Sequence, residues 1–479
     1  MGKVMLKHIE KGLVLTLFLL VSFNVNAQSF VGFLTENYAG VNSVILNPAN
    51  IVDSRFKADI NLIGISAFGG NDYYNFNVMK AINDDAYDFD TASRYSPKIN
   101  NSGAFNTDVM GPSFMFNINQ NNAIAVFTRI RSFANVNGVN GRDLYAIDEN
   151  LSNDFTVTEN GFNAFGQAWA EIGLSYARVL VSEKENFLKG GISLKYLKGA
   201  GSASLAGRNI TVNYDADGTM LPGGGTTGSV SSTGEIIYGR FDDFDRDGYD
   251  YELPKNATGL GVDIGIIYEW RPNHGDYKPR KVWPDRLTYK DENKYKLKLG
   301  VSITDIGYVN YKNGTVDRFD ITNTNVSEEA IDNEDNLYDV LDNYYTLINT
   351  SLGYKALLPT ALHLNADWRF TSHFYLNVNT DVALTSKSKF HTSKIANMLS
   401  LTPRFESKWF SFYTPLSVVQ YGGFQVGAGL RLGPLYLGSS SLFTNLMSDK
   451  SRGGNFYAGL KIPLFHSKFD EGSNCNCYR

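Results

Sequence analysis

Runs of strict two-residue alternation constrain this chain more than any other feature. Val262, Ile264, Ile266, Tyr268 and Trp270 share one face of an extended segment, while Asp263, Gly265, Ile267 and Glu269 share the other. Successive side chains of a strand point to opposite faces, so this period marks a strand between two different environments. The pattern recurs. Ile124, Val126, Thr128 and Ile130 oppose Ala125, Phe127, Arg129 and Arg131; Tyr295, Leu297, Leu299, Val301 and Ile303 oppose Lys296, Lys298, Gly300, Ser302 and Thr304. Leu362, Leu364, Ala366, Trp368 and Phe370 oppose His363, Asn365, Asp367 and Arg369, and Phe424 to Leu432 repeats the scheme with Arg431 on the polar face. Each run is about 10 residues, the length that crosses a bilayer at a tilt of about 45°.

A soluble sandwich also alternates, so alternation alone leaves both architectures open. Three features favour a membrane barrel. Aromatics such as Trp270, Tyr295, Trp368 and Phe370 end the apolar face, as interfacial girdles require. Charges sit on the opposite face, where a barrel turns them into its lumen. Connections alternate between short and long, the asymmetry of outer-membrane barrels. The expected fold is all-β: a transmembrane antiparallel β-barrel of about 14 strands.

Short turns fall at Asn119–Asn122, Val181–Glu185, Thr371–His373, Ser407–Lys408 and Gly433–Pro434. Long connections are expected over 69–108, 134–164, 199–257, 305–359, 385–396, 419–423 and 444–453, with Arg271–Lys294 a longer link on the short-turn side. Strands are then expected to begin near Phe56, Val109, Asn122, Phe165, Asn186, Thr258, Tyr295, Thr360, Phe374, Asn397, Trp409, Phe424, Leu435 and Asn455. Leu347–Leu358 is assigned to a loop; counted as strand it would raise the number to sixteen. An even count returns both termini to the periplasm.

The N-terminus reads as an export signal over residues 1–27. Lys3, Lys7, His8 and Lys11 precede the apolar core Leu13–Phe23, and Val25-Asn26-Ala27 suits cleavage. An uncleaved anchor is the alternative. Residues 56–465 form the barrel, closing on Phe465, and 466–479 form a periplasmic tail carrying Cys475 and Cys477. That C-x-C pair suits a soft-metal site or an intermolecular disulfide, or is idle. A net charge of −5 gives no basic footprint, so nucleic acid is excluded as a partner.

The sharpest local motif is Asp243-Phe244-Asp245-Arg246-Asp247-Gly248, followed by Asp250 and Glu252. Alternate carboxylates converging before a Gly turn suit Ca²⁺. Pro254 occupies the position where an EF-hand needs Glu, so Asp243, Asp245, Asp247, Asp250 and Glu252 are a partial metal set or a solvated acidic turn. No other cofactor is required. Arg129, Arg131, Glu171, Lys195, Asp263, Glu269, Lys296, Lys298, Asp367, Arg369, Asp381 and Arg431 are expected to face the lumen, as a polar channel lining or a salt-bridged filling. His363 and His373 look isolated, and no phosphate loop, zinc motif or nucleophile–base pair is found, so the chain is read as not an enzyme.

Tyr38-Ala39-Gly40 leads to Leu46-Asn47-Pro48-Ala49-Asn50 just ahead of the first strand; Gly300 to Gly307 and Leu358 to Leu364 are further recognisable segments. Together they resemble a Bacteroidota-type outer-membrane family of unknown function, distantly similar to the FadL and PorV-like fourteen-stranded barrels. The resemblance implies an N-terminal hatch or plug over residues 28–55, with Asn47, Pro48 and Ala49 as its motif. It also implies one of two roles: a channel for small hydrophobic or amphipathic molecules, or an accessory subunit of an envelope protein complex. Outer-membrane lipid is a partner in either case.

Overall fold

The computed structural model of the chain describes residues 30–83, 94–150, 153–220, 226–241, 254–282, 285–386 and 390–470. Its strands close into one antiparallel barrel of fourteen. In chain order they are β1 (Phe56–Asn71), β2 (Asn101–Met110 with Ser113–Asn117), β3 (Asn122–Val139), β4 (Phe155–Glu183) and β5 (Asn186–Met220). Next come β6 (Thr226–Phe241 with Ala257–Trp270), β7 (Leu297–Asp320), β8 (Thr346–Leu357 with Ala361–Arg369), β9 (Phe374–Ala383) and β10 (Met398–Glu406). The last are β11 (Phe410–Tyr413 with Leu416–Val419), β12 (Gly423–Val426 with Ala428–Leu432), β13 (Leu435–Ser439) and β14 (Gly453–Phe465). Closure is made by β1, which pairs with both β2 (Ile65 opposite Val109) and β14 (Ile65 opposite Ala458).

Several wall strands are broken where the sequence forbids a ladder bond. Pro112 interrupts β2, Pro359 interrupts β8 and Pro415 interrupts β11, because proline has no backbone N–H to donate. The break in β6 is of another kind. Phe241 pairs with Ser202 and Thr258 with Lys198, so the two halves of β6 lie end to end on β5, with a break in the ladder between those two positions.

The outward face is apolar. Ile172, Leu174, Leu194, Leu260, Ile264, Ile266, Leu299 and Val301 are all exposed, and Leu260 reaches 70%. Such a belt around a whole sheet has no place in water and fits hydrocarbon, with Trp368, Phe370, Phe374 and Trp409 at the short-turn end and Phe424 and Phe456 towards the other.

Beyond that belt the wall is uneven. β4 has 29 residues and β5 has 35, forming a tall side. Here the expected long loops at 134–164, 199–257 and 305–359 are corrected: β3 runs on to Val139 and β4 begins at Phe155, β5 continues to Met220, β6 starts at Thr226, and β7 reaches Asp320. The reason is chemical. Outside lipid the outward face need not be apolar, so Asn209–Met220 and Thr226–Gly234 are rich in Thr, Ser, Asn, Asp and Gly, with Ile210, Val212, Tyr214 and Val230 among them. Thr346–Leu357 is likewise strand and not loop, yet it lies in line with Ala361–Arg369 along β7, so the count stays at fourteen and not sixteen. Two helices, Glu328–Asp332 and Leu337–Tyr344, cover the tall wall. Leu341 packs with Ile210 and Phe319, and Ile331 with Tyr214 and Val230.

Candidate functional site

Residues 30–55 carry no two-residue period, and they do not join the sheet. They fold into turns and two 3-10 helices, Gly40–Ile45 and Pro48–Ile51, enclosed by inward-facing wall residues. Phe30, Phe33, Val41, Val44 and Ile45 form one buried cluster with Met110, Ala125, Phe127, Tyr413, Tyr436 and Tyr457. Phe33 stacks on Tyr436 at 4.0 Å. These side chains occupy the short-turn half of the lumen.

Polar anchors then fix this segment to strands all round the barrel. Arg431 Nε donates to Glu36 Oε2 at 2.9 Å, and Ser411 Oγ donates to Glu36 Oε1 at 2.5 Å. Lys461 Nζ donates to the Tyr38 and Ala39 carbonyls at 2.7 and 3.0 Å and pairs with Asp59 at 3.2 Å. Ser302 Oγ donates to the Leu46 carbonyl at 2.5 Å, and Lys189 Nζ to that of Val52 at 3.0 Å. Arg271 pairs with Asp53 at 2.6 Å and also with Glu269. The Asn47-Pro48-Ala49 turn is shaped by Asn47, whose side-chain oxygen accepts from Ala49 N at 2.9 Å while its amide donates to the Ile266 and Val301 carbonyls.

Above this segment lies a layer of buried charge. Arg129 bridges Asp108 and Glu171, Arg131 pairs with Asp305 at 2.8 Å, and Lys195 joins Asp263 and Asp305 at 2.6 and 2.5 Å. Each ion has an opposite charge at contact distance, the condition for burying it at all. A second group sits nearer the short turns, where Arg404 holds Asp367 and Glu406 at 3.0 and 2.6 Å and Lys298 approaches Asp367 at 3.9 Å.

Of the residues singled out from sequence, Arg129, Arg131, Glu171, Lys195, Asp263, Glu269, Lys298, Asp367, Asp381 and Arg431 are buried inside the barrel. Lys296 and Arg369 are only half-buried at the short-turn rim, where Lys296 reaches the Phe370 carbonyl and Arg369 the Tyr277 hydroxyl. The expected isolation of His363 is corrected: its Nδ1 meets Asp381 at 2.6 Å and its Nε2 meets Thr304 at 2.9 Å, across three adjacent strands. Sequence reasoning missed Glu36, Asp59, Asp108, Asp305, Arg404, Glu406 and Lys461. Lys461 was visible as the polar side of the last strand. Asp305 was not, because a positive φ of 59° and a shift of register beside it break the period. Asp243, Asp245, Asp247, Asp250 and Glu252 lie outside the described residues, as do Cys475, Cys477 and the export signal. Among the described residues no group of three or more His, Cys, Asp or Glu is placed to hold a metal ion.

The third layer is a chamber of the barrel filled by packed aromatic and aliphatic side chains. Phe133, Phe165, Trp169, Leu197, Phe241, Val309, Tyr311 and Tyr354 form one buried cluster, with Trp169 stacked on Phe133 at 5.6 Å. The Arg131 guanidinium lies about 5 Å from both those rings, so the charge layer is its floor. Its side wall includes the interruption in β6, since Phe241 and Ala257 flank residues 242–256 and both belong to the cluster. Tyr311 fills that point, donating its hydroxyl to the Gly201 carbonyl at 3.1 Å. The roof is made by residues 390–396, between β9 and β10.

No curated protein matches the chain. Among solved structures it is similar to a deletion mutant of the monoaromatic hydrocarbon channel TodX, at 10% identity over 90% of this chain and 95% of that one, TM-score 0.42. It is also similar to the Ralstonia pickettii toluene transporter TbuX, at 10% identity over 89% and 94%, TM-score 0.40. A Pseudomonas aeruginosa FadL homologue follows at 10% identity over 88% and 93%, TM-score 0.26. These superpositions are loose, and the barrel rests on the strand register described above. A family model does match, across residues 48–440, which begins at Pro48 and takes in the wall from β1 to β13. This outer-membrane β-barrel therefore belongs to the family of unknown function DUF5723.

Proposed function

We propose that the protein is an outer-membrane channel for small hydrophobic or amphipathic molecules, with its short-turn end and both termini in the periplasm. The observation that carries this reading is the aromatic cluster filling this chamber, beside the interruption in β6. Apolar side chains set above the buried charge layer offer a surface where a hydrophobic solute gains by leaving water.

In this reading residues 30–55 are a plug that stays in place. Moving it would strip Glu36 of Arg431 and Asp53 of Arg271, at a cost of several kcal/mol for each stranded ion, and would take two carbonyl acceptors from Lys461. The wall beside Tyr311 is the weaker barrier, because Gly201 has a tyrosine hydroxyl where β6 would have supplied backbone. Solute then leaves sideways into the membrane at the β6 interruption. The test is uptake of a fluorescent hydrophobic solute by cells with and without the gene, alongside quenching of Trp169 emission in purified protein. Equal uptake together with unquenched Trp169 would reject the reading.

The tall wall supports the other role, an accessory subunit of an envelope complex without transport. Its two helices and exposed strand tips rise beyond the lipid belt, where a partner protein has access. Affinity purification from native membranes discriminates: a stoichiometric partner favours this role, and recovery of the barrel alone removes it.

A further inference from the structure

The roof of the chamber is built unlike the rest of the barrel. Strand β9 ends at Ala383 and β10 begins at Met398, and residues 390–396 turn inward between them across the lumen. They pair with the broken point of β8: Leu357 N donates to the His391 carbonyl at 2.9 Å, and Ser393 N to the Leu357 carbonyl at 3.2 Å. Asn135 of β3 grips Lys394 on both backbone groups, at 3.1 and 2.9 Å, and Gln167 of β4 donates to Ser393 Oγ at 2.9 Å. The bonds from β3, β4 and β8 to this stretch are neutral amide and backbone contacts, in contrast to the ion pairs that hold residues 30–55.

At the centre of the roof His391 stacks on Tyr354 with ring centroids 4.1 Å apart and planes 14° from parallel. Phe165 meets it edge-on at 5.9 Å and Phe390 lies at 4.2 Å. The His391 backbone takes a positive φ of 53°, a costly conformation for a residue with a Cβ. Its Nε2 is buried without a hydrogen-bond partner among the described residues, and Gly239 and Ser204 lie on that side. The ionisable group packed against it is Tyr354 from β8, whose hydroxyl is engaged with Ser202. No carboxylate is paired with it among the described residues, whereas His363 has Asp381.

We propose that residues 390–396 are a displaceable roof over the aromatic chamber, released when His391 takes up a proton. The inference rests on the channel reading, whose site it would regulate. A neutral imidazole belongs in a slot of aromatic rings. An imidazolium buried in that slot, with no carboxylate paired with it among the described residues, gains by moving into water. Burial pushes the His391 imidazole down to about 4, so its proton binds far more tightly once the roof is out. With an ordinary value of about 6.5 in the released state, lowering the pH from 7 to 4.5 shifts the open-to-closed ratio by about 60-fold.

Hydrogen–deuterium exchange of the full chain in lipid nanodiscs, corrected for intrinsic rate, tests this directly. Protection across 390–396 should fall by tens of fold between pH 7 and 4.5, while His391→Phe, still stacked but unable to titrate, stays protected at both. Wild-type protection unchanged at pH 4.5, or an equal loss in His391→Phe, would overturn the proposal. Paired Asn135→Ala and Gln167→Ala changes should loosen the roof already at pH 7; protection unchanged in that variant also overturns it. Solute uptake is measured on the same variants in sealed proteoliposomes at the same two pH values. A roof that opens without uptake upholds the roof and defeats the channel reading, whereas uptake with the roof still protected upholds the channel and defeats the roof.

Discussion

Gly265 of β6 stands so close to Asn47 that a Cβ on the glycine would lie 2.1 Å from the Asn47 side-chain oxygen. Gly191 of β5 crowds the same turn, its missing Cβ falling 2.5 Å from Ala49 N. The wall is hollowed to seat Asn47-Pro48-Ala49. Gly265→Ala is expected to destabilise the barrel by about 1–3 kcal/mol through overpacking. Gly275→Ala, with open space around it, should be near neutral. Thermal unfolding in detergent, followed by gel mobility, would compare them; equal midpoints would refute the seat.

Arg431 and Glu36 are both sealed from solvent, at 1% and 0% side-chain exposure. Arg431→Met alone should cost about 3–5 kcal/mol, because it strands a buried carboxylate. Adding Glu36→Gln should recover most of that loss. A double-mutant cycle on unfolding midpoints measures it, and additive losses would show that the pair is not coupled.

Asp53 gives an acid dependence with a definite sign. Burial pushes its carboxyl up, but Lys294, Arg271, Arg55 and Lys189 together outweigh this and hold it well below the usual carboxylate range. A depressed carboxylate stabilises the fold fully above its unfolded value of about 3.9 and loses that contribution as the pH falls below it. The stability of wild type should therefore fall more steeply than that of Asp53→Asn between pH 4 and 2. Parallel slopes in urea titrations would contradict this.

Tyr311 separates packing from hydrogen bonding at the wall. Tyr311→Phe removes the bond to Gly201 and is expected to cost about 1 kcal/mol. Tyr311→Ala also empties the space beside the β6 interruption and should raise uptake of hydrophobic solutes severalfold. Unchanged uptake in the alanine variant would place the route elsewhere.

How much of this was legible follows from what each face touches. Strand starts at Phe56, Asn122, Asn186 and Phe374 were readable because lipid demands apolar residues at every second position. The tall wall was not: its apolar face is short, Ile210, Val212 and Tyr214 against Thr211 and Asn213, and the helices that cover it lie more than a hundred residues further on. Lumenal charges on β3, β6 and β7 stood out against apolar neighbours. Their partners did not, since Glu36 belongs to an aperiodic segment and Asp108 meets Arg129 only once strands are paired. Periodicity reports which way a side chain points, never whom it meets.

The anchoring of residues 30–55 also dictates an order of assembly. Glu36 waits for Arg431, 395 positions further on, and Tyr38 and Ala39 wait for Lys461. The same terminal strand must reach back to β1 to seal the cylinder. The segment that leaves the ribosome early is thus among the last to find its contacts, and contacts so remote along the chain are slow to form. A barrel stalled before β12 would leave Phe30 and Phe33 without Tyr436 and Tyr457, so the inner segment can set only when the last strands arrive.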